Sequence, residues 1–235
     1  MRKNRAAAKK AKIILLAAVI FIAVLAGSIG LQLFTSPDFH GFSKEDVPVP
    51  VVTHLPENGS SEGGSGKAPF NWQDHHVFII GDSLTHGASK EIGKAVEKST
   101  IDSKVGRNMA AGVSILQGWK DSGILTNDAI IVICLANNIT DTTVRDAQRI
   151  VDIIEPGQSL IMMTGHGRSN MASANEFIRS LPNIYPFVTV ADWDLTIAQS
   201  PNLLSDDGIH IAKAQGNVLY ADLIVRALEF AQPRP

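Results

Sequence analysis

Residues 71–235 are predicted to fold as an α/β domain with three layers, α/β/α, around a five-stranded parallel sheet. Apolar runs of strand length alternate with stretches of helical periodicity over this region. Several of the runs are apolar at every position, as expected for strands that helices cover on both faces. Such sheets bind ligands beyond the carboxyl ends of their strands, so functional residues are expected at that edge.

The elements follow one another in a regular order along this domain. Five strands are predicted, at residues 77–80, 100–105, 129–135, 160–164 and 187–191. After the third strand, apolar residues recur at helical spacing over 144–154, following a cap at Asp141. Apolar positions over 211–228 predict a last helix.

The N-terminal segment is predicted to anchor the protein in a membrane. Residues 1–12 hold six basic side chains and no acidic one, and residues 13–34 carry no charge. As a helix, this uncharged run would measure about 33 Å, which matches the hydrocarbon core of a bilayer. The basic flank places the N-terminus in the cytoplasm and the domain outside the cell, in a single-pass arrangement at the cell membrane.

A cleaved signal peptide is the alternative to an anchor. Small residues at Val24 and Ala26 could serve a peptidase, and an apolar stretch ending at Ala26 has a suitable length. The apolar character continues to Phe34, which favours an uncleaved anchor. Residues 35–70 are rich first in proline and then in glycine and serine, which predicts a flexible linker with a reach on the order of 30 Å.

Charge and cysteine content exclude several classes of function. Beyond residue 12, the chain has 15 basic against 23 acidic residues, so broad attraction to nucleic acid is not expected. The single Cys134 excludes an intrachain disulfide and a multi-cysteine zinc site. It lies in an apolar run, which predicts a buried strand residue rather than a reactive thiol.

Ser83 lies at the junction between the first strand and a helix. In that position its hydroxyl would lie at the rim of the sheet, and its backbone N–H would lie near a helix N-terminus that stabilises negative charge. This geometry suits a nucleophile. A helix N-cap is the alternative for an isolated strand-Gly-Asp-Ser junction.

Asp207 and His210 precede the last helix and form a candidate dyad. A serine hydroxyl needs a base with a pKa near neutrality, and that base needs a partner that fixes its tautomer. A carboxylate three residues before the histidine can come from the same turn, and Gly208 would allow a tight backbone. An N-cap aspartate beside a partly exposed histidine is the alternative for this segment alone.

Two residues at other strand ends could stabilise an oxyanion. Gly106 follows the second strand and Asn138 follows the third. Because both lie at carboxyl ends, a backbone N–H and a side-chain amide could converge with the N–H of Ser83. Taken singly, they are an ordinary turn glycine and loop asparagine.

These four blocks, in this order, resemble the SGNH/GDSL hydrolases, whose blocks supply Ser, Gly, Asn and His. The resemblance covers about residues 74–231, and residues 80–83, 102–107, 192–193 and 207–210 most resemble the extracytoplasmic SGNH domain of peptidoglycan O-acetyltransferases. It implies a flavodoxin-like SGNH fold with Ser83 as nucleophile, His210 as base and Asp207 as its orienter. It also implies an oxyanion hole made of Ser83, Gly106 and Asn138.

The third block departs from the family pattern. Ala136 stands where a glycine is usual, and Ile139 stands where many of the esterases have aspartate. The related acetyltransferases often carry a multi-helix membrane domain that delivers the acyl group, whereas this chain has one predicted span. The resemblance therefore implies either a separate multi-span protein that supplies acyl groups or an existing ester as donor.

Three further residues are candidate substrate contacts. His166 and Arg168 follow the fourth strand in a glycine-containing loop, and Trp193 follows the fifth. Loop filling is the alternative for the first two and packing the alternative for Trp193. No metal is expected, because the adjacent His75 and His76 would point to opposite faces of an extended chain, and no cofactor is expected.

The function predicted from these observations is that of an outward-facing serine enzyme acting on an ester or glycan substrate. Water as the acceptor of its acyl-enzyme would make it an esterase, and a sugar hydroxyl would make it an O-acyltransferase of cell-wall glycan, most simply for acetyl groups. A non-catalytic wall-binding or scaffold module on the same fold is the alternative.

Overall fold

The computed structural model describes residues 50–53 and 70–235. The predicted basic segment 1–12, the predicted span 13–34 and most of the predicted linker 35–70 lie outside the described residues, so those predictions stay predictions. Within the described part, none of the helices has the length and apolar character needed to cross a bilayer.

Strands and helices alternate through the described region. The strands are β1 Val52–Thr53, β2 Val77–Gly81, β3 Ser99–Ser103, β4 Ile130–Cys134, β5 Ser159–Met163 and β6 Val188–Ala191. The α-helices are α1 Ser83–Ala95, α2 Met109–Asp121, α3 Thr143–Ile153, α4 Ala172–Ser180, α5 Trp193–Ala198 and α6 Ala214–Leu228. Single 3₁₀ turns lie between some of them, at Trp72–Asp74, Ser169–Met171, Leu181–Asn183 and Pro201–Leu203.

The described strands form one sheet in the order β1-β6-β5-β4-β2-β3. Neighbours from β3 to β6 pair in parallel, which confirms the predicted five-stranded parallel sheet. Numbered alone in chain order, the parallel strands run 2-1-3-4-5, the flavodoxin-like order that the resemblance implies. The first parallel strand, β2, therefore lies at the point where the order reverses, and ligands bind beside such a point.

A sixth strand, β1, pairs antiparallel with the edge of β6. It lies inside the segment predicted as a linker, and nothing in the local composition marks it. The residue before β1, Val51, makes two backbone hydrogen bonds to this region. Its carbonyl accepts from the N–H of Asp192 at 3.0 Å, and its N–H donates to the hydroxyl of Thr196 at 3.0 Å.

Apolar side chains on alternate positions of the strands form two separate faces. Phe78, Ile80, Ile131 and Ile133 belong to one large cluster with residues of α2, α3 and α4. On the other face, α1 packs against α6. Every residue of β2, β4 and β5 is buried, which explains their continuous apolar runs.

Two predicted boundaries shift in the structure. The second parallel strand ends at Ser103 rather than at residue 105, and Val105 is 67% exposed, because the chain leaves the sheet in a turn through Gly106 at φ +76°. The helix predicted after Asp141 has Thr142 as its N-terminal cap residue instead. Thr142 donates its hydroxyl to Asp146 one turn later, at 2.5 Å.

Candidate active site

Ser83 is the first residue of α1 and follows the end of β2 by two residues. Asp82 caps this helix, because its Oδ1 accepts a hydrogen bond from the backbone N–H of Leu84 at 3.0 Å. Gly81 is required at the junction, since a Cβ there would collide with the side chain of Thr85. The hydroxyl of Ser83 is thereby held at the carboxyl edge of the sheet, beside a helix N-terminus.

The segment from Asp207 to His210 forms a turn that is organised by one carboxylate. Oδ1 of Asp207 accepts hydrogen bonds from the backbone N–H groups of Ile209 at 2.9 Å and His210 at 3.0 Å, and from the hydroxyl of Ser205 at 2.7 Å. Gly208 has φ +67°, a conformation that glycine adopts without strain. The same turn therefore supplies both the carboxylate and the histidine.

A continuous hydrogen-bonded relay joins Asp207, His210 and Ser83. Oδ2 of Asp207 lies 2.6 Å from Nδ1 of His210, and Nε2 of His210 lies 3.0 Å from Oγ of Ser83. Because an ionised carboxylate can only accept, Nδ1 carries the proton and Nε2 is left to accept from the serine hydroxyl. The hydrogen bond from His210, followed by those from Ser205 and the backbone, holds the pKa of Asp207 well below its usual range.

The relay is open to solvent. The side chains of His210 and Asp207 are 50% and 47% exposed. The arrangement can therefore remove a proton from Ser83 and meet a substrate at the protein surface.

Asn138 lies on the loop after β4 and contacts the start of α1. Its side-chain amide donates to Oδ2 of Asp82 at 3.3 Å, and the amide of Asn137 donates to the same oxygen at 3.2 Å. Asp82 is fully buried, and burial raises its pKa despite these hydrogen bonds. Asn138 thus lies next to Ser83 in space, although 55 residues separate them in the chain.

Gly106 lies in the turn after β3, at the same edge of the sheet. The turn begins beside Ser83, because the N–H of Lys104 donates to the carbonyl of Gly81 at 3.1 Å. Gly106 has φ +76°, and a Cβ there would meet open space. Its conformation rather than any close contact explains the glycine.

His166 and Arg168 lie on the loop between β5 and α4. His166 is partly buried, its backbone N–H donates to Oδ1 of Asn137 at 3.0 Å, and its Nδ1 lies 2.8 Å from Oδ1 of Asp194. Gly167 has φ +106° and packs so closely that a Cβ would collide with the carbonyl of Gly208. The loop thus lies against the turn that carries His210, whereas the side chain of Arg168 is exposed.

Comparison with solved structures identifies the fold. The catalytic domain at the C-terminus of peptidoglycan O-acetyltransferase A from Streptococcus pneumoniae superposes with a TM-score of 0.63 at 24% identity, covering 68% of this chain and 96% of that one. A member of the lipolytic protein G-D-S-L family from Veillonella parvula superposes with a TM-score of 0.55 at 13% identity, covering 65% and 97%. The chain has the SGNH/GDSL hydrolase fold. No family model matches it.

Curated relatives match about two thirds to three quarters of the chain. A putative peptidoglycan O-acetyltransferase, YrhL, from Bacillus subtilis is 24% identical over 153 residues, which are 65% of this chain and 24% of the relative. The peptidoglycan O-acetyltransferase OatA from Listeria monocytogenes is 23% identical over 171 residues, 73% of this chain and 26% of the relative. The chain therefore spans about a quarter of the length of the relatives that it matches.

Ala136 stands in the third SGNH block where the family pattern has a glycine. It is buried, and its carbonyl lies against Gly165, where a Cβ would collide with it. Asn138 donates to Asp82 even with Ala136 on this loop, so the asparagine lies beside the residue that precedes Ser83.

Trp193 does not line the site. Its side chain is 0% exposed and packs edge to face against Tyr220, with the ring centroids 5.0 Å apart. The prediction of a substrate contact at Trp193 therefore gives way to the packing alternative. Asp192 is the N-cap of α5, so Trp193 is the first residue of that helix, and its side chain is buried in the core.

Three residues near the site are not predicted from the sequence. Asn137 links Asp82 to the His166 loop, Asp194 pairs with His166, and Arg179 donates to Asp194 at 2.9 Å. Asn137 neighbours a predicted site residue, which was a usable signal. No sequence signal marks Asp194 and Arg179, because their partners are distant in the chain.

Proposed function

We propose that the protein is a serine esterase or O-acyltransferase of the SGNH type, acting on O-acetyl groups of cell-wall glycan. The observation that carries this proposal is the relay from Asp207 through His210 to Oγ of Ser83, at 2.6 and 3.0 Å. If Ser83 only began a helix and His210 were only a surface residue, nothing would require these two distant segments to be joined. The structure instead links Asp207, His210 and Ser83 by consecutive hydrogen bonds.

The chemistry begins with proton transfer. Nε2 of His210 takes the proton of Ser83 while Oγ attacks the ester carbonyl, and the ionised Asp207 stabilises the imidazolium. The backbone N–H groups of Ser83 and Gly106 and the amide of Asn138 would hold the oxyanion. Donors of this kind are each worth about 3 kcal/mol of transition-state stabilisation.

Collapse of this intermediate gives an acyl-enzyme. His210 returns the proton to the departing alcohol, the carbonyl re-forms, and the acyl group stays on Oγ of Ser83. Water or a sugar hydroxyl then attacks in the same way. The second acceptor makes the protein a transferase, and its resemblance to proteins named peptidoglycan O-acetyltransferases supports a glycan hydroxyl.

The proposed location follows from the sequence of the N-terminal segment. The uncharged run 13–34 after a basic segment would anchor the chain in the cell membrane with residues 71–235 outside, where cell-wall glycan lies. We propose that the acyl group comes from a separate multi-span protein or from an existing ester. The proposed reaction uses side chains and backbone N–H groups of the protein and calls for no cofactor.

Covalent labelling tests whether Ser83 is a nucleophile. The purified full-length protein is treated with a fluorophosphonate probe, and the modified residue is located by peptide mass spectrometry. Labelling of Ser83 and its loss in Ser83→Ala support the proposal. Ser89→Ala, on the same helix, is the matched control and should label like the wild type, whereas an unlabelled wild-type protein would favour the non-catalytic module.

An acceptor assay separates the two enzymatic alternatives. An aryl acetate is supplied with and without a chitooligosaccharide, and the products are resolved by mass spectrometry. Acetylated sugar supports transfer to glycan. Free acetate alone supports hydrolysis and overturns the transferase part of the proposal.

A further inference from the structure

The loop carrying His166 is fixed between the two halves of the relay site. On one side, the N–H of His166 donates to Asn137, the neighbour of Asn138. On the other side, Gly167 lies against Gly208 in the turn that carries His210. The side chain of buried Asn175 also bonds both backbone groups of Gly165, at 2.9 and 2.7 Å. A side chain on this loop therefore has a defined position beside the site.

His166 forms a second imidazole–carboxylate pair next to the first. Its Nδ1 lies 2.8 Å from Asp194, whose other oxygen accepts from Arg179 at 2.9 Å. Arg179 also forms two hydrogen bonds to buried Asp192, at 2.6 and 2.9 Å. Arg179 is shared between Asp192 and Asp194, so its single positive charge offsets one of the two carboxylates.

The other ring nitrogen of His166 is available to a ligand. Within the described residues, Nε2 has no hydrogen-bond partner, and it is not among the polar atoms that are buried without one. The side chain is 22% exposed. Because Nδ1 donates to the carboxylate, Nε2 of the neutral ring presents a lone pair to solvent, as Nε2 of His210 presents one to Ser83.

We propose that His166 binds a hydroxyl group of the acyl acceptor through Nε2, with Asp194 as its positioning residue. This inference rests on the proposed function and names the acceptor as a polyhydroxylated molecule such as a glycan. An acetyl group has no O–H to donate, whereas a sugar offers several next to the one that attacks. Water, by comparison, gains nothing from a second anchoring point.

The transfer step leaves His166 unchanged. The attacking hydroxyl gives its proton to Nε2 of His210, its oxygen forms the new ester bond, the bond between the carbonyl carbon and Oγ of Ser83 breaks, and Oγ receives the proton from His210. His166 holds a neighbouring hydroxyl of the same acceptor in place. Its contribution therefore falls on binding and orientation of the acceptor rather than on proton transfer.

The test is the ratio of transfer to hydrolysis. Full-length wild-type protein and His166→Gln are supplied with an aryl acetate and a chitooligosaccharide, and acetylated sugar and free acetate are quantified together. Loss of one hydrogen bond to the acceptor predicts that this ratio falls about tenfold in His166→Gln, with a raised KM for the sugar. Ser169→Ala, in the same loop, is the matched control and should keep the wild-type ratio.

Fluorophosphonate labelling separates failure of this inference from failure of the proposed function. Absence of labelling in the wild type would overturn both. Labelling with an unchanged ratio in His166→Gln would overturn the role of His166 alone. Labelling with no sugar product even in the wild type would overturn this role together with the transferase part of the proposed function. If His166→Gln fails to label, Asp194→Ala keeps the imidazole but removes the oxygen that orients its ring, and an unchanged ratio in that variant would overturn the inference.

Discussion

The side-chain amide of Asn138 donates to the Asp82 carboxylate at 3.3 Å, so a candidate oxyanion donor is anchored on the cap of the helix that begins at Ser83. The amide group has two N–H bonds, and one remains for a substrate oxygen. Asp82 also accepts from Asn137 and from the backbone of Leu84. One buried carboxylate therefore positions the helix start and the loop after β4 together.

We expect Asp82→Asn to impair activity more than stability. An amide at this position offers one acceptor oxygen where the carboxylate offers two, so at least one of its three donors loses its partner. Misplacing the Asn138 donor should lower kcat for an aryl acetate about 100-fold. Leaving a buried donor unpaired costs about 1–3 kcal/mol, and relief of the buried charge offsets part of this.

The matched control is Asp141→Asn, at an exposed position on the same loop. Steady-state kinetics and chemical unfolding of both variants check the prediction. Wild-type kcat in Asp82→Asn would show that Asn138 does not depend on this anchor.

Asp207→Asn should remove the support of the base while leaving Ser83 in place. The variant keeps the size of the side chain but loses the charge that stabilises the imidazolium and fixes its tautomer. We expect kcat for an aryl acetate to fall about 10²- to 10⁴-fold with a smaller change in KM. A fall of less than about threefold would contradict the assignment of Asp207 to the relay.

The same variant predicts a pH effect on stability. The pKa of Asp207 is lower in the folded protein than in the unfolded chain, so its stabilisation is present above the unfolded value of about 3.9. It is lost as the pH falls through the folded value. The difference in urea midpoint between wild type and Asp207→Asn should therefore shrink from pH 5 towards pH 2, whereas a constant difference would contradict the shift.

The parts of the site that the sequence predicts are those encoded within a few residues. The strand-Gly-Asp-Ser junction at Ser83 and the turn from Asp207 to His210 each follow from local backbone chemistry, because a cap, a glycine and a carboxylate lie in one short segment. Four of the five parallel strands follow from their apolar runs, whereas β3, Ser99–Ser103, has one apolar residue. These features need no knowledge of distant contacts.

The parts that the sequence does not predict depend on contacts between distant segments. Trp193 is equally compatible with a cleft and a core, and only its packing on Tyr220 decides between them. The pairing of β1 with β6 rests on backbone hydrogen bonds, which leave no side-chain pattern in so short a strand. The pairing of His166 with Asp194 joins a loop to the first turn of α5, 28 residues later in the chain.

Gly167→Ala should destabilise the domain and impair the relay. The backbone at this position has φ +106°, which an alanine adopts only at a cost of about 1–3 kcal/mol. Its Cβ would also collide with the carbonyl of Gly208, so the loop or the turn that carries His210 must move. We expect a lower free energy of unfolding and a lower kcat for an aryl acetate.

Gly93→Ala is the matched control for this substitution. Gly93 lies in α1 at an exposed position where a Cβ would meet nothing. Alanine in a helix interior is favoured over glycine by about 0.5–1 kcal/mol, so this variant should be more stable and equally active. Equal stability of Gly167→Ala and the wild type would show that the loop adapts without strain.

Cys134 should be unreactive in the folded protein. It ends β4 in the middle of the sheet, it is buried, and burial raises its pKa to about 12. The thiolate is the reactive species, so at pH 8 the native thiol is both protonated and out of reach of a reagent. In the unfolded chain its pKa returns to about 8.5, and reaction with a disulfide reagent becomes fast.

Because the chain has a single cysteine, one equivalent of reagent should react with it in denaturant and almost none without denaturant. Ser114→Cys, on α2, provides the exposed control, since one thiol of that variant should react at once in the native protein while Cys134 reacts only on unfolding. Rapid modification of native wild-type protein would show that the centre of the sheet opens far more readily than its buried position implies.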